Sequence, residues 1–272
     1  MKYIVPLLLV FSSVLLLAQQ RLPAGQNYYD DGQTGIIYNQ ELTFDFRLIT
    51  PRSFALGVNV GRLRSYDRTT FMNFEFGDIR HPQEYRQSFD FQFGPSNRVS
   101  RAFIYGKQNS AFVLRAGYGE KRYFSEKAKN RGLAVGVTYQ VGANLGLIKP
   151  YYLELLRSRD PGSGSQEFFV SEEDYSPENE NIFLDLSRII GAASFSKGLD
   201  GLTVMPGLHA KAAAHFDWGA FDELVKAIEA GIMVDVFFKD VPIMVESPMV
   251  PHLENSPVFI NLYLNLQLGK RW

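Results

Sequence analysis

The residues with the most chemistry in them share one parity of a single segment: His209, Lys211, His215 and Asp217. In an extended chain every second side chain lies on one face. Two imidazoles, an amine and a carboxylate would then point the same way. Such a face could hold a metal ion, or one histidine could serve as general base to a serine nucleophile. The Gly-x-Ser-x-Gly elbow that would present that serine is missing from the sequence. Cysteine is absent altogether, which removes thiol catalysis, Cys-based metal centres and disulfides. The expectation is therefore no catalytic residue, no metal and no cofactor.

A wider set of charges repeats the pattern. Glu41, Asp45, Arg47, Glu75, Arg115, Glu229, Asp235 and Arg271 each occupy the polar parity of a segment whose other parity is apolar. With His209, Lys211 and Asp217 they make a lumen-facing polar set of six acids and four Lys or Arg, apart from histidine. A selective pore favours one sign of charge. A mixture inside a narrow lumen reads as paired structural filling, because buried charges must be matched.

Other polar stretches are weaker. Arg80-His81-Pro82-Gln83-Glu84 reads as a polar turn at the start of a loop. Ser158 to Glu180 carries Glu172, Glu173, Asp174, Glu178 and Glu180 without the alternating acid-plus-glycine order of a calcium loop, and reads as solvated. Val241 to Val250 is apolar and proline-containing; it could fold over a barrel mouth or dock a partner.

The elements that must position these residues alternate with period two. Candidate strands run over 35–50, 53–64, 70–79, 101–107, 111–122, 132–145, 149–157, 202–217, 225–239 and 258–272. In 35–50, Tyr38, Leu42, Phe44, Phe46 and Leu48 oppose Asn39, Glu41, Thr43, Asp45 and Arg47. Several candidates exceed the five or six residues usual in soluble strands and approach the roughly 9–11 that cross a membrane. With 22 Phe and 14 Tyr, a face consuming large apolar groups at every second residue suits lipid better than water. The fold class expected is all-β: a closed antiparallel up-and-down transmembrane barrel of about ten strands, within eight to twelve.

The first eighteen residues read as a cleaved signal peptide, with Lys2, an apolar run from Ile4 to Leu17 and a small residue at Ala18. Residues 19–34 are expected to form a periplasmic N-terminal segment, and 35–272 the barrel. With Trp272 at the periplasmic rim, long external loops fall at 81–100, 158–201 and 240–257 and a shorter one at 123–131; turns at 65–69, 108–110, 146–148 and 218–224 face inward. The formal net charge of −1 gives no reason to expect nucleic acid.

The segment from Phe259 to Trp272 resembles the closing strand of bacterial outer-membrane barrels. The resemblance implies that Leu264, Leu266, Leu268 and Trp272 form the signal engaged by the barrel-assembly machinery. Lys270 departs from the apolar residue usual there, and could snorkel to headgroups. The Gly269-Lys270-Arg271-Trp272 ending is similar to small Bacteroidota-type barrels of unassigned function. On these grounds the chain is expected in the bacterial outer membrane as a structural barrel, or as an anchor for an envelope assembly such as a secretion machine. A narrow solute channel is the alternative, and a lipid-modifying enzyme a third. Expected partners are outer-membrane lipid, the barrel-assembly machinery and an envelope protein at the external loops.

Overall fold

A strand whose two faces differ in polarity is stable only where each face meets its own solvent, and closing the sheet also removes its edges. The computed structural model describes residues 39–65, 67–88, 92–93, 98–99, 101–124, 133–159, 167–218, 223–248 and 253–272. The expected signal peptide and N-terminal segment lie outside them.

Eight antiparallel strands close into one barrel: β1 (Gln40–Ile49), β2 (Ser53–Ser65), β3 (Arg68–Ile79), β4 (Asn109–Tyr123), β5 (Ala134–Pro150), β6 (Thr203–Asp217), β7 (Leu224–Phe237) and β8 (Val258–Arg271). Each pairs with its sequence neighbour, and β8 returns to β1 in the register Glu41–Arg271 to Ile49–Tyr263. Eight is the lower bound expected. Two candidates lie elsewhere. Of 149–157, residues 149–150 end β5 and 153–157 enter a three-stranded sheet (167–173, 153–159, 189–192); 101–107 supplies a two-residue rung paired with 86–87. Alternation marks any strand with two unlike faces, so it cannot separate these from barrel staves.

Losing two staves changes the connections. The expected turn at 108–110 is instead the start of β4 at Asn109, and that at 146–148 is continuous strand within β5. Gly146 is required for room: a Cβ there would stand 2.9 Å from Phe237 Cε1. The β4–β5 connection, expected outside at 123–131, leaves and re-enters the barrel at the rim where β1 begins and β8 ends. The other rim bears the three long connections, 80–108, 151–202 and 238–257, and the tight turn at 50–52.

Outside, the barrel is a continuous apolar belt. Phe44, Phe46, Leu56, Phe74, Val141, Leu208, Ile232 and Ile260 are all exposed, and the same parity is apolar on every stave. Inside, the loop-bearing mouth is stoppered. Val241, Ile243 and Met244 pack on Ile79, Val113, Ile148, Phe237 and Phe259. The stopper is tied down: Gln108 and Asn109 N–H donate to Ile243 O at 2.9 and 3.1 Å, and Ile243 and Met244 N–H donate to Asn255 Oδ1 at 2.9 and 3.0 Å.

Above it the three-stranded sheet has its own core, where Phe103, Leu153, Leu155, Phe183, Ile189 and Val245 are buried together. Arg157 grips Glu173 with two hydrogen bonds, 2.8 and 2.5 Å. This contact holds the Glu173 carboxyl below its ordinary value of 4.5. A depressed carboxyl stabilises the fold above that ordinary value, and the contribution is lost as pH falls through the folded one. Amide exchange over 167–173 is therefore expected to accelerate below pH 4.5 relative to the staves. In Arg157→Ala the acceleration should already be present at neutral pH.

Candidate functional site

An eight-stranded barrel is just wide enough for side chains to fill, and here the polar parity of all eight staves meets in the middle. Glu75 on β3 is the hub. It accepts from Arg115 Nη1 and from Lys211 Nζ, each at 2.7 Å, and pairs with Arg47. Arg115 spans the lumen to Asp235 with two bonds of 2.8 and 2.7 Å, and Asn144 Nδ2 donates to the same carboxylate at 2.9 Å. Arg47 also reaches Asp45 at 3.2 Å, whose oxygens accept from Asn59 at 2.8 and 2.9 Å.

A second cluster lies toward the rim that carries the chain ends. Glu41 accepts from Lys121 Nζ at 2.6 Å and from Arg271 Nε at 2.8 Å. Arg271 Nη2 donates to Asp217 at 2.6 Å. Glu229 accepts from Thr138 and Asn265 at 3.0 and 3.1 Å and lies 2.9 Å from His215 Nδ1. The eleven residues of the lumen-facing set read from sequence are all in this interior, none more than 4% exposed.

Some members were not anticipated. Lys121 is a fifth interior Lys or Arg, and it had the right parity two residues beyond Gly119. Asn59, Asn73, Gln140 and His209 form a chain of amide and imidazole contacts, with Asn73 donating to Asn59 at 2.6 Å, Gln140 donating to Asn73 at 3.0 Å and standing 3.0 Å from His209 Nε2. Neutral amides carry no charge pattern to betray them. Glycines make room for the large groups. A Cβ on Gly142 would lie 2.7 Å from His209 Cε1, and one on Gly117 would lie 3.0 Å from its Nε2.

Both histidines of β6 have their ring nitrogens engaged within the barrel. His215 faces Glu229 with one ring nitrogen and Tyr123 Oη, at 3.3 Å, with the other. His209 meets the Ala143 carbonyl at 3.2 Å and Gln140 at its two nitrogens. Neither imidazole has a ring nitrogen left for a substrate, and no cluster of three His, Asp or Glu with metal-binding geometry occurs among the described residues. The arrangement cross-braces the staves.

The C-terminal residues lie on the other face: Leu264, Leu266, Leu268 and Trp272 all point outward and are exposed. Trp272 O accepts from Asn39 and Gln40 N–H at 3.0 and 2.9 Å, so the chain ends of the barrel are stitched together.

The fold and its interior define a closed eight-stranded β-barrel with a filled polar lumen. No protein-family model matches the chain, and no curated protein matches it significantly. Among solved structures it is similar to Neisserial surface protein A, at 8% identity over 86% of this chain and 95% of that one, with a TM-score of 0.35. It is also similar to the N-terminal β-barrel domain of Pseudomonas aeruginosa OprF, at 8% identity over 86% and 98%, with a TM-score of 0.32.

Three substitutions separate the faces. Glu75→Gln leaves three buried cations short of a partner and is expected to cost about 3–5 kcal/mol. Lys211→Met keeps Glu75 paired and should cost distinctly less. Leu264→Arg on the outer face is expected to cost about 2–4 kcal/mol in a bilayer. In a lipid-free neutral detergent its penalty should shrink, while that of Glu75→Gln should not. Denaturant titrations in vesicles and in micelles check all three.

Proposed function

We propose that the protein is an integral outer-membrane barrel, which acts as a sealed anchor rather than as a channel or an enzyme. The observation that carries this reading is a lumen crossed by buried ion pairs at two levels and stoppered at one mouth. Its lower part is occupied by the ion-paired network around Glu75 and Glu41, and its loop-side mouth by Ile243 and Met244, fully or almost fully buried. The belt of Phe, Leu, Ile and Val on the opposite face suits hydrocarbon. Water would leave such a band exposed as one apolar patch.

The loop-bearing rim is the external face on this reading, and its three-stranded sheet is the platform. The strand 167–173 is an open edge of that sheet. Phe168, Phe169 and Val170 on it are 62, 45 and 55% exposed. An exposed edge with apolar side chains is a template for another chain. This supports an envelope protein as the anchored partner. On the same reading the chain belongs with the small Bacteroidota-type barrels that its Gly-Lys-Arg-Trp ending resembles, and an accessory place in a secretion assembly is compatible with it. Leu264, Leu266, Leu268 and Trp272 then form the outward-facing stripe that the assembly machinery takes up.

Planar-bilayer recording is expected to give no discrete openings; regular single-channel steps would overturn the sealed reading. Co-purification from detergent-solubilised membranes should yield an envelope protein that is lost in the double variant Phe168→Ser, Phe169→Ser. The same variant should keep heat-modifiable gel migration, the mark of an intact barrel. A mature chain that stays monomeric and soluble without detergent would refute the membrane assignment.

A further inference from the structure

A cavity of about 440 Å³ opens on the side of the barrel at its loop-bearing rim, lined there by Arg80, Glu84, Arg86, Ile104 and residues 192–195. Its floor and wall are aromatic. Phe76 and Phe112 stack at 6.0 Å between centroids, Phe195 meets Phe112 edge-on at 6.0 Å, and Phe54 stands alongside. Phe54 and Phe76 are outward-facing belt residues. The cavity is therefore continuous with the surface that faces hydrocarbon.

Its upper lining is cationic. Arg52, Arg80, Arg86, Lys107 and Lys149 are set against two carboxylates, Asp78 and Glu84. Those two are already taken, by Arg80 at 2.7 Å and by Lys107 at 2.8 Å. Three cations remain without an ion-pair partner among the described residues. Lys149 is the telling one. It sits on the outward parity of β5, yet the 193–197 loop covers it to 3% exposure. Its ammonium lies 5.1 Å over the Phe195 ring and donates only to backbone carbonyls, Lys197 O at 2.7 Å and Pro150 O at 3.3 Å. An ammonium this buried ordinarily has a carboxylate. The lumen of the same protein supplies one to every buried Lys or Arg described above.

We infer that this cavity binds one phosphorylated lipid of the outer leaflet, with its phosphate at Lys149, Arg52 and Arg86 and an acyl chain along Phe112, Phe76 and Phe54. A free phosphate would satisfy the cations but leave the aromatic wall in contact with water. A zwitterionic lipid would satisfy the wall but bring its own cation to the site. Only an anionic amphiphile matches both. The inference rests on the membrane reading, and the two can fail separately: detergent-free solubility would already have removed that reading before any lipid is added.

The test is native mass spectrometry of the full mature barrel in a neutral detergent. It is titrated in parallel with dioctanoyl phosphatidic acid, dioctanoyl phosphatidylcholine and inorganic phosphate. A single phosphatidic acid adduct is expected, held at least tenfold more tightly than phosphatidylcholine, with no retained phosphate. Lys149→Met should weaken it about tenfold, Lys149→Arg should keep it, and Phe195→Ala should weaken it severalfold, with heat-modifiable migration intact in each. Equal retention of phosphatidylcholine, or phosphate binding as tight as the lipid, would overturn the proposal. So would a folded Lys149→Met that binds like the wild type. If Lys149→Met does not fold, Phe195→Ala and Arg52→Gln carry the same reading, and unchanged binding in both has the same consequence.

Discussion

Everything in this barrel depends on charge pairing in a space that water cannot fill. Closing eight strands leaves a lumen the width of the side chains that enter it. Six carboxylates and five Lys or Arg groups enter. Each must find its opposite there, since an unmatched buried ion costs several kcal/mol. Glu75 resolves the hardest part by accepting three cations from three different strands. Because Arg115 then crosses to Asp235, β3, β4, β6 and β7 are tied by one set of bonds as well as by their ladders. The seam is treated in the same way: Arg271 of β8 pairs with Glu41 of β1, and Arg47 stands 4.8 Å over the ring of Tyr263.

The outer face obeys the opposite rule. There the staves present Phe, Leu, Ile and Val on the same parity that alternates with the interior charges. A one-residue slip in register would exchange the two faces, putting Glu75 on the apolar outer face and Phe74 into the ionic lumen. Polarity thus fixes register as firmly as hydrogen bonding does. The loop-side stopper completes the separation, with Ile243 and Met244 doing for the mouth what Glu75 does for the middle.

Much of this was legible in the chain, because period-two alternation with a long apolar face has few other meanings. All eight staves were candidates, and so were the interior charges they carry apart from Lys121. What could not be read was which alternating segments belong to the barrel. Residues 149–157 and 101–107 alternate as well, but they are short and build the external layer. Gly146 imitated a turn because a glycine between two apolar runs has the same appearance whether it bends the chain or admits a neighbouring phenyl ring. Pairing partners were invisible for a further reason. They depend on which cation reaches across the lumen, and that is decided by height along the axis and by glycine gaps such as Gly117 and Gly142, not by parity.

The ladder between β1 and β8 has a consequence for how the molecule comes into being. In a sheet ordered like this one, the first stave made waits unpaired on one edge until the last stave arrives. Synthesis from the N-terminus cannot relieve it. Before β8 joins, the sheet has two raw edges and Glu41 has Lys121 as its one cation; pairing at Arg271 and Trp272 closes both edges and gives Glu41 its second. Closure therefore falls to the last stave: without the β8 ladder the remaining seven strands are an open sheet with two edges.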